Sequence, residues 1–334
     1  MRKTFILFIL ALVSTIACRK HEQEPQPPVV DHNDTIPYNV TTLMDVEAHI
    51  AGMAIADDGT IFYSVRNKIY MIKDSVKSLF AGGEAGYEDG PRASARFNYP
   101  ARLALDQKGN LYVADRQNYR IRKIDRAGNV STMIFSYANP VYDDIGHVVE
   151  IVHDTTSNAG DVCDLNVKGN HLYIIDYQSI IAYNGINGYN TAQCRLDSNN
   201  FLSKGVDLYT GGSVKGLDVS QDEHYLYWGN IYGIYRYDLR SEEIALSYGY
   251  DNSFVNFVLG EGDSVMYIPR MNKCIIDRVS LATGIGSLIA GQVNDPAQQG
   301  PHPSIDGVGT GASFNHLNFI KKKNNYLYIA ESNY

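Results

Sequence analysis

The sequence predicts an all-β fold: a β-propeller of six four-stranded antiparallel blades, with the last blade incomplete. The first observation is a phrase repeated six times, an aliphatic or Met residue followed by an aromatic at the head of a short strand: Ile61-Phe62, Leu111-Tyr112, Leu172-Tyr173, Leu226-Tyr227, Met266-Tyr267 and Leu327-Tyr328. The intervals are 50, 61, 54, 40 and 61 residues, a spacing that belongs to blades or solenoid turns rather than to one globular core. The second is turn chemistry. Asp57-Asp58-Gly59, Lys168-Gly169-Asn170 and Gly260-Glu261-Gly262-Asp263 place Gly, Asn and Asp where a tight first hairpin needs positive φ or an Asx-type hydrogen bond. The third is that the strands are only 4–7 residues long and alternate in hydrophobicity, which argues against a parallel α/β fold.

Residues 97–133, FNYPARLALDQKGNLYVADRQNYRIRKIDRAGNVSTM, show one unit in full. Alternation gives strands at 101–106, 111–115, 119–125 and 130–134, separated by turns at Gln107-Lys108-Gly109-Asn110, Arg116-Gln117-Asn118 and Ala127-Gly128-Asn129. A lone meander of this kind exposes two faces and two edges. Ringing about six of them packs face against face and leaves only short edges. No amphipathic helix of three turns is visible after the leading segment.

The segment FNYPARLALDQKGNLYVADRQNYRIRKID closely resembles the NHL repeat, and AGGEAGYEDGPRASARFN at 81–98 resembles the inter-blade loop of bacterial NHL proteins. Residues 290–317 repeat that loop, and LYIAESNY repeats LYVADRQNY. The other four units, near 48–80, 160–195, 213–247 and 253–290, keep the strand pattern but lose the Asp-x-x-Asn-x-Arg signature. The resemblance covers residues 40–334 and implies the propeller. It leaves function open, because the repeat occurs in binding proteins and enzymes alike.

The sixth copy stops at Tyr334, where its likeness to the second predicts a further strand. Asn39-Val40-Thr41-Thr42-Leu43 resembles Asn129-Val130-Ser131-Thr132-Met133, so the N-terminal segment is expected to supply the outer strand of the last blade but not its third. The natural gene product is expected either to continue or to accept a three-stranded last blade.

Residues 1–17 read as a signal peptide: Arg2 and Lys3 precede an apolar run too short for a bilayer, which needs about 20 apolar residues. Thr15-Ile16-Ala17-Cys18 resembles a bacterial lipobox, which implies lipidation of Cys18 and a membrane partner through that anchor. Residues 18–38, polar and proline-rich, read as a flexible tether, and 39–334 as the propeller. The charged start Arg19-Lys20-His21-Glu22-Gln23-Glu24 loosely resembles the export signal of Bacteroidetes lipoproteins. That implies the outer membrane at the cell surface, a periplasm-facing anchor being the alternative. Thr35, in Asp34-Thr35-Ile36, matches the O-glycosylation triplet of that group.

The formal charge is −8, and −10 without Arg2 and Lys3, so the electrostatic footprint of a nucleic-acid partner is missing. Beyond Cys18 the cysteines are Cys163, Cys194 and Cys274, an odd number allowing at most one internal disulfide. Cys163 and Cys274 are expected on strands, as buried hydrophobes.

Five residues in the first inter-blade loop are candidates for ligand binding: Tyr87 and Tyr99 bracket Asp89, Arg92 and Arg96, joining aromatic rings to polar groups. Asp115 and Asn118 read as organisers of the second hairpin, with Arg120 and Arg122 on the exposed outer part of the blade. The Tyr residues of the repeated phrase are expected to pack between blades with their hydroxyls partnered. Residues 135–160 and 184–212 read as long insertions with few strand signals.

No catalytic residue stands out, and no Gly-x-Ser-x-Gly elbow occurs. Some NHL-like propellers are amidating lyases holding zinc through His, and lactonase-like propellers hold Ca²⁺ through oxygen ligands in the central tunnel. His49, His153, Asp161, Asn256, His316 and Asn318 lie near inner-strand starts and are the metal candidates. The reading that these features favour is a non-catalytic surface lipoprotein that binds a glycan, a peptide or an envelope protein and needs no cofactor. The alternative is a metal-dependent lyase or lactonase using Ca²⁺ or Zn²⁺ in the tunnel.

Overall fold

The computed structural model describes residues 5–12, 38–46, 49–142, 148–156, 159, 161–177, 189–195, 202–208, 214–230, 233–241, 243–248, 256–271, 273–292 and 303–332. The fold is all-β, a propeller of antiparallel sheets.

Four sheets are plain four-stranded blades, fewer than the six that the sequence predicts. They begin at Gly52–Ile55, Asp161–Lys168, Gly216–Val219 and Val258–Leu259. Two further sheets have five strands because a short inter-blade segment adds to the outer edge: Gly90–Pro91 in the sheet begun by Pro100–Leu105, and Gly307–Val308 in the sheet begun by His316–Lys323. The seventh sheet is a two-stranded hairpin, Phe135–Tyr142 with Val148–Thr156.

Strand bounds in the unit at 97–133 follow the alternation: Pro100–Leu105, Leu111–Asp115, Arg120–Ile124 and Asn129–Thr132, with one 3-10 turn at Arg116–Asn118. The turns form as their residues dictate. Gly59 and Gly109 take φ of 83° and 80°, and Asp58 and Asp106 accept the N–H groups of Thr60 and Lys108 at 3.0 and 2.9 Å.

The six first strands touch one another in chain order, and His316–Lys323 touches Gly52–Ile55, so the inner circle is closed. The core lies between the sheets. One apolar cluster joins Met53, Ile61 and Tyr63 of the first sheet to Phe319, Tyr328 and Ala330 of the closing sheet, and corresponding clusters fill the other junctions. Two inward aromatics of the repeated phrase find partners as expected: the Tyr112 hydroxyl donates to Asp106 at 3.1 Å and the Tyr173 hydroxyl to Glu223 at 2.9 Å.

Three expectations are corrected. The stretch 135–160 is not a loop, since it holds the two-stranded hairpin. Likewise 184–212 contains the third and fourth strands of its own blade, Tyr189–Arg195 and Leu202–Leu208. Polar residues in these strands hide the alternation that identifies the others. Cys274 is buried as predicted but sits at φ 53° in the turn before Ile275–Ser280, not on a strand, while Cys163 is on a strand and only half-buried.

The closing sheet repeats the second sheet in detail. Tyr38–Val46 is its outer strand, pairing Asn39 with Val308 and Val40 with Gly307, as Asn129 pairs with Pro91 and Val130 with Gly90. Asp306 Oδ1 accepts both the N–H and the hydroxyl of Thr42 at 2.7 Å, as Asp89 accepts those of Thr132 at 3.0 and 3.2 Å. The third position, expected to be missing, is held by Phe5–Leu12 between Tyr38–Val46 and Tyr326–Ser332.

Candidate ligand-binding mouth of the central tunnel

Each first strand is the inner edge of its sheet, so its outward N–H and C=O groups have no partner in their own ladder. One polar side chain on, or just before, the neighbouring strand meets this need at four junctions. Arg102 Nη1 donates to the Ala51 carbonyl, and Asp164 Oδ2 accepts the Leu217 N–H at 3.0 Å. Asp218 Oδ2 accepts the Leu259 N–H at 2.8 Å. The Asn256 amide makes two bonds to the backbone of Ile320, both 3.0 Å. A polar residue in an otherwise apolar short strand is thus an inter-blade latch.

Arg102 also bridges several sheets at the waist of the tunnel. Its Nε lies 3.4 Å from Asp164 Oδ1, and the guanidinium sits 5.2 Å above the Phe319 ring, so one side chain of the second sheet reaches the first, third and closing sheets. Beyond it, where the first strands end, a cavity of about 630 Å³ opens. Asn166, Asp218, Lys168, Lys321, Gln107 and Gln221 line it. Asp218 Oδ1 accepts the Asn166 amide at 2.9 Å. Burial pushes the Asp218 carboxyl up, against the opposing pull of Lys321 and of the Leu259 and Val219 N–H groups. The mouth therefore offers donors and acceptors of both signs.

The five loop candidates lie at the other end of the first strands. Tyr87, Asp89 and Arg96 among them contact Arg122, which is not exposed as expected but fully buried. Arg122 Nη1 donates to Asp115 Oδ2 at 2.8 Å and to the Arg96 carbonyl at 3.0 Å; Nη2 donates to the Glu88 carbonyl at 2.7 Å and to Asp89 Oδ1 at 2.5 Å. Its guanidinium lies between the rings of Tyr87 and Phe97, 4.9 and 5.1 Å from their centroids. The burial of Asp115 lifts its carboxyl, and bonds from Asn118, the Asn98 N–H and Arg122 oppose that lift. Asp115 and Asn118 are hairpin organisers, as predicted.

Asp89 and the Tyr87 hydroxyl, which meets Thr132 Oγ1 at 2.8 Å, are thus tied into the fold. Arg92 packs on Phe80 at 4.7 Å, Arg96 pairs with Glu88 at 3.5 Å, and Tyr99, at φ 56°, donates its N–H to Asn67. Tyr87, Asp89, Arg92 and Arg96 remain solvent-facing and Tyr99 is half-buried.

The metal candidates do not converge. Asp161 is held by Arg116 at 2.5 and 3.1 Å, and Asn256 is committed to Ile320. His49 is exposed beside the half-buried His316, whose imidazole burial and the His49 charge hold below its usual range. The Asn318 amide nitrogen has no hydrogen-bond partner among the described residues. His153 pairs with Ala138 in the hairpin, and its side chain is outside those described. Among the described residues no three His, Cys, Asp or Glu side chains are grouped to hold an ion. Asp218, Asn166 and Lys321 were missed by sequence reading; the available signal was a polar residue inside a first strand.

Residues 97–124 match the NHL repeat. Human NHL repeat-containing protein 2 is 24% identical over 272 residues, 77% of this chain and 33% of that protein. The chloroplastic protein SUPPRESSOR OF QUENCHING 1 of Arabidopsis thaliana is 38% identical over 82 residues, 23% of this chain and 8% of that protein. The chain therefore spans 33% or less of the length of these relatives. Among solved structures, a Bacteroides thetaiotaomicron protein of unknown function superposes with a TM-score of 0.54 at 14% identity, covering 88% of this chain and 72% of that one. A gluconolactonase of Xanthomonas campestris superposes at 0.53 and 11%, covering 90% and 91%. At such identities the likeness is one of fold. With the repeat matched and the ring of sheets in place, the chain is a β-propeller that carries an NHL repeat at residues 97–124.

Proposed function

We propose that the protein is a non-catalytic binding module, a six-bladed ring in which the two five-stranded sheets count as blades, and that its tunnel mouth captures the end of a glycan chain. The observation that carries this reading is the cavity of about 630 Å³ with amide, carboxylate and ammonium groups side by side. Neutral hydroxyl-rich ligands need such mixed donors and acceptors, and a cavity of this size suits one or two sugar rings. The loop around Arg122 supports the mouth as the preferred site, because its polar groups are already used to hold the fold. In the same reading Cys18 is lipidated after removal of residues 1–17, residues 18–38 tether the ring at the outer membrane, and Thr35 carries a glycan. Residues 13–37 lie outside those described.

The lyase or lactonase alternative draws on the shared fold only. A guanidinium at the waist and Lys168 and Lys321 at the mouth oppose a divalent cation there.

The test is calorimetry of the full-length protein with a panel of neutral and acidic oligosaccharides, run beside Lys321→Met and Gln107→Ala. Binding that weakens at least tenfold in these variants supports capture at the mouth. Binding to none, or binding indifferent to both changes, overturns it. Retention of about one Zn²⁺ or Ca²⁺ per chain after dialysis would favour the enzymatic reading instead.

A further inference from the structure

A second cavity, of about 420 Å³, opens on the flank of the first sheet and shares no residue with the tunnel mouth. Its walls are the second, third and fourth strands of that sheet, Ile61–Val65, Lys68–Lys73 and Val76–Gly82, together with Val46 of the closing sheet. Cross-strand partners lie on the same face of a sheet. The pairs Val65–Lys68, Tyr63–Tyr70 and Ile72–Lys77 therefore put two lysines and two tyrosines on one face.

Three cations line this cavity, Arg66, Lys68 and Lys77, and among the described residues no Asp or Glu does. None of the three has an ion-pair partner among those residues, whereas the neighbouring Lys73 is held by Asp58 at 3.1 Å. Lys77 is placed by an aromatic ring instead: its ammonium lies 5.1 Å from the Tyr70 centroid, and Tyr70 is stacked on Tyr63 at 5.5 Å. Tyr63 is 1% exposed, and its hydroxyl has no hydrogen-bond partner among the described residues. A buried hydroxyl left in that state costs stability and calls for an explanation. Burial pushes this phenol up, so it is a donor at every pH at which the protein is folded. The charge of the chain points the same way. Residues 52–134 carry 13 Lys and Arg against nine Asp and Glu, net +4 within a chain of −8, so anions are drawn to the first two sheets and repelled by the others.

We propose that this cavity is a binding site for a phosphate monoester, whose oxygens are shared by Arg66, Lys68 and Lys77 and take the hydrogen bond of the Tyr63 hydroxyl. A single carboxylate balances one of the three cations, whereas a phosphate monoester carries nearly two charges at neutral pH on three strong acceptor oxygens, matching a set of donors with no acid among them. The cavity has room for a body of about the size of one sugar ring beside the phosphate. This inference does not depend on what the tunnel mouth binds.

The test is calorimetry on the full chain with a hexose 6-phosphate, the matching 6-sulfate and the neutral hexose, with vesicles containing phosphatidic acid titrated in parallel. The second ionisation of a phosphate monoester lies near pH 6, and no His, Asp or Glu among the described residues lines the cavity. Binding of the phosphate ester should therefore tighten about tenfold from pH 5 to pH 8, while the sulfate ester stays weaker and level with pH. Lys68→Gln and Lys77→Gln should each weaken it about tenfold, and Lys73→Gln, held by Asp58 outside the cavity, should leave it unchanged. Tyr63→Phe should weaken binding without lowering the thermal midpoint of the free protein, since the hydroxyl removed has no partner there; a tyrosine that only served the fold would change the midpoint and not the binding. Whichever of the soluble ester and the vesicle binds with these dependences supports the site and names the source of the phosphate. Binding by neither, a phosphate ester held no tighter than the neutral hexose, or binding indifferent to Lys68→Gln and Lys77→Gln overturns the proposal. Phosphate binding that is lost in Lys321→Met would place the ester in the tunnel mouth and overturn it as well.

Discussion

Arg122→Met isolates the contribution of one buried charge to the order of an entire inter-blade loop. Methionine keeps most of the apolar stem between Tyr87 and Phe97 and removes the guanidinium with its bonds to Asp115, Asp89 and the carbonyls of Glu88 and Arg96. Asp115, with a fully buried side chain, then keeps its charge without a counter-ion. Removing one member of a buried pair costs about 3–5 kcal/mol, against a whole-domain stability of about 5–15 kcal/mol. The Asp115 carboxyl is already raised by burial, and losing Arg122 raises it further. The unfolded carboxyl ionises in its ordinary range, so the penalty is present at neutral pH and shrinks as pH falls through the raised folded value. Urea unfolding at pH 7 and at pH 5 reads the stability, and hydrogen exchange over 81–98 reads the loop. Asp115→Asn in the same chain should recover part of the loss, because no buried charge remains. A variant within about 1 kcal/mol of the parent at pH 7, with unchanged protection in 81–98, would refute the account.

Other expectations follow from single contacts. Glu331 is raised from 4.5 to about 7 chiefly by burial, so its contribution is full below 4.5 and is lost as pH rises to about 7; this amounts to about 3 kcal/mol. Denaturant midpoints of the full chain should therefore fall over that window in the parent and stay level in Glu331→Gln. Asn256→Ala leaves the Ile320 N–H and carbonyl without partners at a blade junction, which should cost about 2–4 kcal/mol in chemical denaturation. Gly52→Ala would place a Cβ 2.6 Å from the Ala101 carbonyl oxygen and 2.8 Å from the Arg102 Cα, forcing the first two sheets apart for about 1–3 kcal/mol, seen as a lower thermal midpoint.

The strands of residues 97–133 were legible because alternation and turn chemistry act within a few residues, and observed bounds lie within a residue or two of those read from the sequence. Repetition carried more: the likeness of 39–43 to 129–133 foretold the outer strand of the closing sheet, and the Thr42–Asp306 latch reproduces Thr132–Asp89. The sequence alone thus determined the class of fold, the hairpins and one long-range pairing, since each is written in local pattern or in copies of it. Tertiary structure decided the rest. Arg122 reads locally as one more polar residue on an outer strand and is buried only because Tyr87, Asp89 and Phe97 arrive from an earlier loop. Asp164 and Asp218 read as misfits in apolar strands, and Asn256 as a loop residue just before one; all three become latches because the next blade presents an edge N–H to each. The tunnel mouth likewise gathers Gln107, Asn166, Asp218 and Lys321 from four sheets. No local rule encodes that meeting, because it arises from closing a ring whose partners lie tens to hundreds of residues apart.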